Sequence, residues 1–64
     1  MLYWLVLVLD CNDKAETFKF DDANYAQGTY QKHVTMMNDK YVALLSCNGR
    51  VCVPLATYSN QQGV

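Results

Sequence analysis

The sequence lacks any concentration of positive charge. Its 64 residues include five Lys or Arg and six Asp or Glu, which gives a formal net charge of −1. The basic side chains are scattered along the chain: Lys14, Lys19, Lys32, Lys40 and Arg50. Affinity for a nucleic-acid backbone comes largely from clustered cations that release counterions. We therefore expect no binding to duplex nucleic acid, and the even charge balance gives equally little support to acidic mimicry of DNA.

The sequence also lacks the motifs that mark common catalytic and ligand sites. It has no Gly-rich phosphate loop, no Ser/His/Asp set and no motif that places two carboxylates together. The single histidine, His33, has no spacing to a cysteine that indicates a nucleophile and its base. Asp10-x-Asn12 is like the start of a calcium loop, but Lys14 and Ala15 stand where a ligand and the turn glycine belong. We predict a protein that is not an enzyme, with no cofactor and no small-molecule substrate.

No apolar run is long enough for a membrane-spanning helix. The longest covers residues 1–9, whereas a span needs about 20 residues. No Lys or Arg precedes this run and no small-residue cleavage site follows it, as both would in a secretory signal peptide. Together with an odd number of cysteines, this favours free thiols in a reducing cytoplasm. We predict a cytoplasmic protein that does not bind membranes.

A complete metal-binding pattern is missing as well. Cys47 and Cys52 form a C-x4-C pair that, with Cys11 and His33, would supply four zinc ligands. Structural zinc sites usually add a second knuckle or a histidine pair, so we interpret the cysteines as small buried hydrophobes and predict no metal. A Cys47–Cys52 disulfide is not expected, because an Asn48-Gly49 turn would place these residues diagonally, with Cα atoms about 7–8 Å apart.

What the sequence does have is a strong apolar pattern, with 52% of its residues hydrophobic. Residues 2–9 are apolar at every position, which is typical of a strand in the centre of a sheet. Residues 16–20 alternate, with Phe18 and Phe20 facing inward. The polar residues 10–14 between these segments predict a hairpin.

Asn48-Gly49 is the strongest hairpin signal in the chain, because a type I′ turn needs positive φ at both central residues. It joins predicted strands at about 40–47 and 50–57, and Pro54 indicates that the second strand lies at a sheet edge. One predicted face of this hairpin carries Val42, Leu44, Val51, Val53 and Leu55. The other carries Tyr41, Ala43, Leu45, Cys47, Cys52 and Pro54.

The segment at about 22–37 is predicted to be a helix. Asp21 is the expected N-cap, and Phe20 and Tyr25 are then spaced for a hydrophobic staple. Gly28 and the β-branched residues after it weaken the helix and leave an all-β alternative, a small five-stranded barrel or sheet.

The predicted helix has one apolar stripe at intervals of three and four residues. Its members are Ala23, Ala26, Tyr30, Val34 and Met37. Lys32 and His33 lie near the negative end of the helix, where a lone histidine usually caps the helix or faces solvent.

The order strand, strand, helix, strand, strand predicts a single α+β domain over 1–64, with a four-stranded, mainly antiparallel sheet and a polar tail at 58–64. One helix covers only one face of a sheet. The other face would stand open to water, and soluble monomers rarely expose large contiguous apolar patches. We therefore expect a homodimer or another protein partner, bound through this face or by edge-strand pairing. The expected interface is Trp4, Leu5, Leu7, Tyr41, Ala43, Leu45 and Cys52.

The pattern predicts a non-enzymatic protein–protein interaction module, a small homodimeric regulator or inhibitor of the kind that phage and mobile-element genomes encode. In one alternative, the C-terminal tail and long Tyr or Lys side chains cover the open face. In another, the protein binds single-stranded nucleic acid by stacking bases on its tyrosines, which are Tyr25, Tyr30, Tyr41 and Tyr58. The last alternative is a small thiol or zinc protein, whose function Cys52→Ser would abolish.

Overall fold

The computed structural model describes residues 2–36 and 39–59. Its elements are β1 (Leu2–Asp10), β2 (Ala15–Phe20), α1 (Ala23–Met36), β3 (Asp39–Asn48) and β4 (Val51–Ser59). The strands form one antiparallel sheet of order β2-β1-β3-β4, and α1 packs against it. The predicted α+β class is confirmed, and the all-β alternative is wrong because a helix fills the middle of the chain. The predicted tail begins inside β4, and residues 60–64 lie outside the described residues.

The core lies between α1 and the central strands. Alternate side chains of β1 point toward the helix, and Val6 among them is completely buried. The buried cluster is formed by Val6, Val8, Ala26, Tyr30, Val42 and Leu44. Around it pack the partly buried side chains of Trp4, Phe18, Phe20, Val34, Ala56 and Tyr58. This packing confirms that the unbroken apolar strand β1 is central and that one of its faces is covered by the helix.

The helix begins one residue later than its expected cap. Asp22 is the N-cap, because its Oδ1 accepts a hydrogen bond from the backbone N–H of Asn24 at 2.8 Å. The prediction of Asp21 as the cap was therefore wrong. The predicted hydrophobic staple between Phe20 and Tyr25 was wrong as well, because Tyr25 is the third helical residue and is 72% exposed.

The predicted stripe of α1 reaches the core in its middle. Ala26 and Tyr30 are buried and Val34 packs against them. Ala23 is exposed at the first turn, and Met37 lies outside the described residues.

The β3–β4 turn is displaced by one residue from the predicted position. Asn48 pairs with Val51, so that Gly49 and Arg50 are the central residues. Gly49 has φ 71°, whereas among the described non-glycine residues only Asp13 has a positive φ. Glycine at the first central position is the signature of a type II′ turn, not of the predicted type I′. The strands after the turn are consequently paired in a different register.

A bulge in β4 changes which of its side chains reach the core. Leu55 lies between Pro54 and Ala56, which pair with consecutive residues of β3. Because one extra residue reverses the alternation of the strand, Ala56 and Tyr58 continue the face that packs on the core. Leu55 was predicted to face the helix but is largely exposed.

The sheet is longer than the helix that covers it. The last residue of β2, Phe20, pairs with Trp4, so beyond this level the described sheet contains only β1, β3 and β4. We call this end, residues 2–3 and 46–53, the arm. On the helix side of the arm, Leu2, Val51 and Val53 are 51%, 63% and 53% exposed. Val51 and Val53 thus lie on the predicted sheet face but outside the core.

Candidate interaction surface

The sheet face away from α1, which we call the open face, is apolar along both central strands. The core-facing side chains of β1 and β3 are Trp4, Val6, Val8, Val42 and Leu44, so the residues between them point to the other side. The open face therefore carries Tyr3, Leu5, Leu7, Leu9, Tyr41, Ala43, Leu45 and Cys47. Directly opposed pairs, such as Leu5 with Leu45, bring apolar side chains into lateral contact.

These lateral contacts shield the open face only in part. The small side chain of Ala43 is buried between its neighbours, whereas Leu5, Leu7 and Leu45 are half-buried. Tyr41, at one end of β3, is 38% exposed. No element of residues 2–36 and 39–59 packs over this face, and the alternative in which the tail at 60–64 covers it lies outside the described residues.

One end of the open face is closed by a lysine, as the alternative of side-chain covering predicts. Lys19 is directly opposite Leu5 on β2, and its Nζ lies 4.7 Å from the centroid of the Tyr3 ring. This cation–π contact brings the aliphatic stem of the lysine over the neighbouring apolar surface. The covering is local, because the β2 residues opposite Leu7 and Leu9 are Thr17 and Ala15, whose side chains are too short to extend over the leucines.

The edge strands give the apolar stripe a more polar border. On β2 this border includes Thr17 and Lys19 next to Ala15. On β4 it includes Thr57 and Ser59 next to Pro54 and Cys52, all of which pair with open-face residues of β3. An apolar centre within a polar rim is the usual arrangement of a protein–protein interface.

Six of the seven residues predicted to form the interface lie on the open face: Leu5, Leu7, Tyr41, Ala43, Leu45 and Cys52. Trp4 does not, because it packs against the core under α1. The prediction that Trp4 shares a face with Leu5 and Leu7 was wrong, because neighbouring residues of a strand point to opposite faces. Tyr3, which the prediction left out, is the aromatic residue of β1 on this face.

Cys47 and Cys52 form a disulfide whose Cα atoms are 4.0 Å apart. The prediction against this bond was wrong because it assumed an Asn48-Gly49 turn. In the observed register the two residues are directly opposed, as a non-hydrogen-bonded pair of close Cα atoms. The prediction of free thiols therefore fails for both residues, while Cys11 lies exposed in the β1–β2 turn.

A polar contact that the sequence did not predict joins the end of α1 to the start of β3. His33 Nδ1 lies 2.9 Å from Asp39 Oδ2, and the Asp39 side chain is almost completely buried. The His33 ring stacks on Phe18 with centroids 6.1 Å apart. The only sequence signal was the position of His33 near the negative helix end, which does not identify a partner.

Two further acidic side chains, Asp10 and Asp13, make polar contacts in the β1–β2 turn. Asp10 Oδ1 accepts hydrogen bonds from the backbone N–H groups of Asn12 and Lys14, at 2.8 and 2.9 Å. Asp13 pairs with Lys40, and the hydrogen bond and negative charge of Asp13 raise the pKa of Lys40. Both members of the pair are exposed, so its contribution to stability is small.

Residues 2–36 and 39–59 contain no group of three or more His, Cys, Asp or Glu side chains that could hold a metal ion. No pocket opens on the described surface. Within these same ranges, the fold includes no helix with the length and apolar character needed to cross a membrane. Comparison with protein-family models, with curated proteins and with solved structures finds no match for this chain.

Proposed function

We propose that this protein is a non-enzymatic interaction module that forms a homodimer through the open face of its sheet. The observation that carries the proposal is that both faces of the central strands are apolar whereas the single helix covers one. Burying apolar surface contributes about 25 cal/mol per Å², and a chain of this length gains only about 3–5 kcal/mol from its own core. Covering the partly exposed leucines Leu5, Leu7 and Leu45 would therefore add to this stability.

Docking through the face is favoured over docking through a strand edge. β2 is short and carries the charged residues Glu16 and Lys19, which discourage pairing. On β4, the alternation that starts at the turn places the backbone nitrogens of Cys52 and Pro54 on the outer edge. Proline has no N–H to donate there, and the bulge at Leu55 interrupts the edge further. Both described edges are thus unsuited to strand addition.

The charge of the open face supports a second copy of the chain as its partner. In a two-fold dimer the same patch contacts itself, so a patch with many charges of one sign would repel its copy. The described open face has one charged side chain, Lys19, which lies at its margin over Tyr3. Two such faces can pack with interdigitating side chains about 10 Å apart, as in β-sandwiches.

The test compares lysine at two consecutive positions of β3. Leu45 points to the open face, whereas Leu44 is 7% exposed and belongs to the core. Leu45→Lys should give a folded monomer, and Leu44→Lys should unfold the chain, because an unpaired buried charge costs more than the core can supply. Light scattering gives the mass and circular dichroism the fold.

A natural protein that stays monomeric when concentrated would overturn the proposal. Identical behaviour of the two variants would show that the assignment of faces is incorrect.

The tyrosines give less support to single-stranded nucleic-acid binding. Tyr30 is buried and Tyr58 packs against the core, while Tyr25 is on the helix and Tyr41 on the open face. They do not form the continuous stacking platform that such binding uses.

A cytoplasmic location stays part of the proposal, as does the narrower role of a phage-type regulator or inhibitor. The free-thiol argument for the cytoplasm no longer applies to Cys47 and Cys52. Cytosolic disulfides are rare and usually transient or redox-sensing.

A further inference from the structure

The Cys47–Cys52 disulfide is asymmetric in its access to solvent. Cys47 is 0% exposed, whereas Cys52 is exposed on β4. β4 is an edge strand of the described sheet, so no described strand lies beyond Cys52. The bond thus joins a fully buried residue to an exposed residue at the sheet edge.

The direction of attack strengthens this asymmetry. A thiolate attacks a disulfide sulfur along the extension of the S–S bond, and exchange depends on which sulfur can be reached. The Cys52 sulfur is approached from beyond the edge of β4, which is open. The Cys47 sulfur is approached from β1, where Tyr3 is directly opposite in the register. Tyr3 is half-buried and is held by its contact with Lys19.

The charge around the arm is positive. Arg50 is in the turn between the two cysteines, and residues 40–64 contain no Asp or Glu. Lys19 adds a second positive charge beside Tyr3. A positive environment attracts an approaching thiolate and stabilises the thiolate that leaves.

We propose that the Cys47–Cys52 disulfide is a thiol-exchange site that low-molecular-weight thiols attack at Cys52. The attacking thiolate forms a bond to the Cys52 sulfur, the Cys47–Cys52 bond breaks, and Cys47 leaves as a thiolate that takes a proton from water. A second thiolate then attacks the sulfur of the first thiol and releases Cys52. In total, two thiols are oxidised to one disulfide and the protein disulfide is reduced to two thiols.

Opening this bond acts on the part of the sheet that lacks a helix. The arm extends past the level of Phe20, where β2 ends, and reduction removes the covalent cross-link of its hairpin. Amide hydrogen exchange over residues 46–53 should accelerate, while exchange in the helix-covered strands stays unchanged. Cys52 lies at the β4 border of the open face, so the exchange is also measured in the Leu45→Lys monomer, where attack at Cys52 is tested separately from dimerisation.

The experiment uses the natural chain and glutathione as the attacking thiol. After incubation and acid quenching, the remaining thiols are alkylated so that no further exchange occurs. Trypsin then cleaves at Lys40 and Arg50, which separates Cys47 in residues 41–50 from Cys52 in residues 51–64. We expect glutathione on the Cys52 peptide in about tenfold excess over the Cys47 peptide, because access decides which sulfur is attacked. Equal labelling, absence of exchange at millimolar glutathione, or reduced thiols at both Cys47 and Cys52 in the protein isolated under air would each overturn the proposal.

Two variants test the cause of the selectivity. Tyr3→Ala removes the side chain opposite Cys47, so labelling should spread to both peptides. Tyr41→Ala removes a tyrosine at the other end of the same face and should leave the ratio unchanged. If Tyr3→Ala remains folded by circular dichroism but keeps the ratio, then Tyr3 does not protect Cys47. Cys11→Ser is the control for exchange through the third cysteine.

Discussion

The position of one glycine decides the register of the β3–β4 hairpin. Asn48-Gly49 satisfies a type I′ turn, but Gly49-Arg50 satisfies a type II′ turn equally well, because that turn needs positive φ only at its first central residue. The observed turn uses the second solution, with Gly49 at φ 71°. This displacement of one residue places Cys47 opposite Cys52 and makes the disulfide possible.

A residue-scale prediction concerns the buried carboxylate of Asp39. Asp39→Ala leaves His33 without its partner in a half-buried site, and should reduce the free energy of unfolding by about 1–3 kcal/mol. Asp13→Ala removes the exposed pair with Lys40, and should cost less than about 1 kcal/mol. Urea unfolding followed by circular dichroism measures both. Equal losses would show that burial of the His33–Asp39 pair adds nothing to its strength.

At the scale of elements, the helix was predictable because its signals are local. Its apolar stripe and its acidic start both lie within a few residues of each other in the chain. The cap was displaced by one residue because Asp21 and Asp22 are equally good caps by type. The bulge at Leu55 had no such signal, since it depends on how β4 pairs with β3.

Two adjacent aspartates provide the element-scale prediction. Asp22→Ala removes the acceptor for the N–H of Asn24, and should destabilise the protein by about 1 kcal/mol. Asp21→Ala should stay within about 0.5 kcal/mol of the natural protein, as expected for a surface substitution. Both variants lose one negative charge near the helix N-terminus, so their difference isolates the capping hydrogen bond. Equal effects in urea unfolding would contradict the assignment of Asp22.

At the scale of the whole molecule, the main feature is an imbalance between one helix and a sheet that is apolar on both faces. The helix covers the core side as far as the level of Trp4 and leaves the open face and the arm uncovered. The molecule measures 41 × 20 × 17 Å, an elongated shape that exposes more surface than a sphere of equal volume. Association is the simplest way to remove that surface from water.

The whole-molecule prediction follows from mass action. If folding is coupled to dimerisation, the melting temperature of the natural protein should rise by about 4 °C for each tenfold increase in protein concentration. Calorimetry over a hundredfold range tests this. Leu45→Lys should melt at a temperature that does not depend on concentration. A constant melting temperature in the natural protein would contradict the homodimer.

The sequence by itself determined the element order, the central place of β1 and the edge position of β4. It also placed on the open face five of the six predicted interface residues of β1 and β3: Leu5, Leu7, Tyr41, Ala43 and Leu45. These follow from alternation along a strand, which is a property of neighbouring residues. Only the tertiary structure decided the Cys47–Cys52 bond, the pairing of His33 with Asp39 and the reversal after Leu55. Each depends on which residues of separate elements come together, and many registers have similar local energies until all contacts are made.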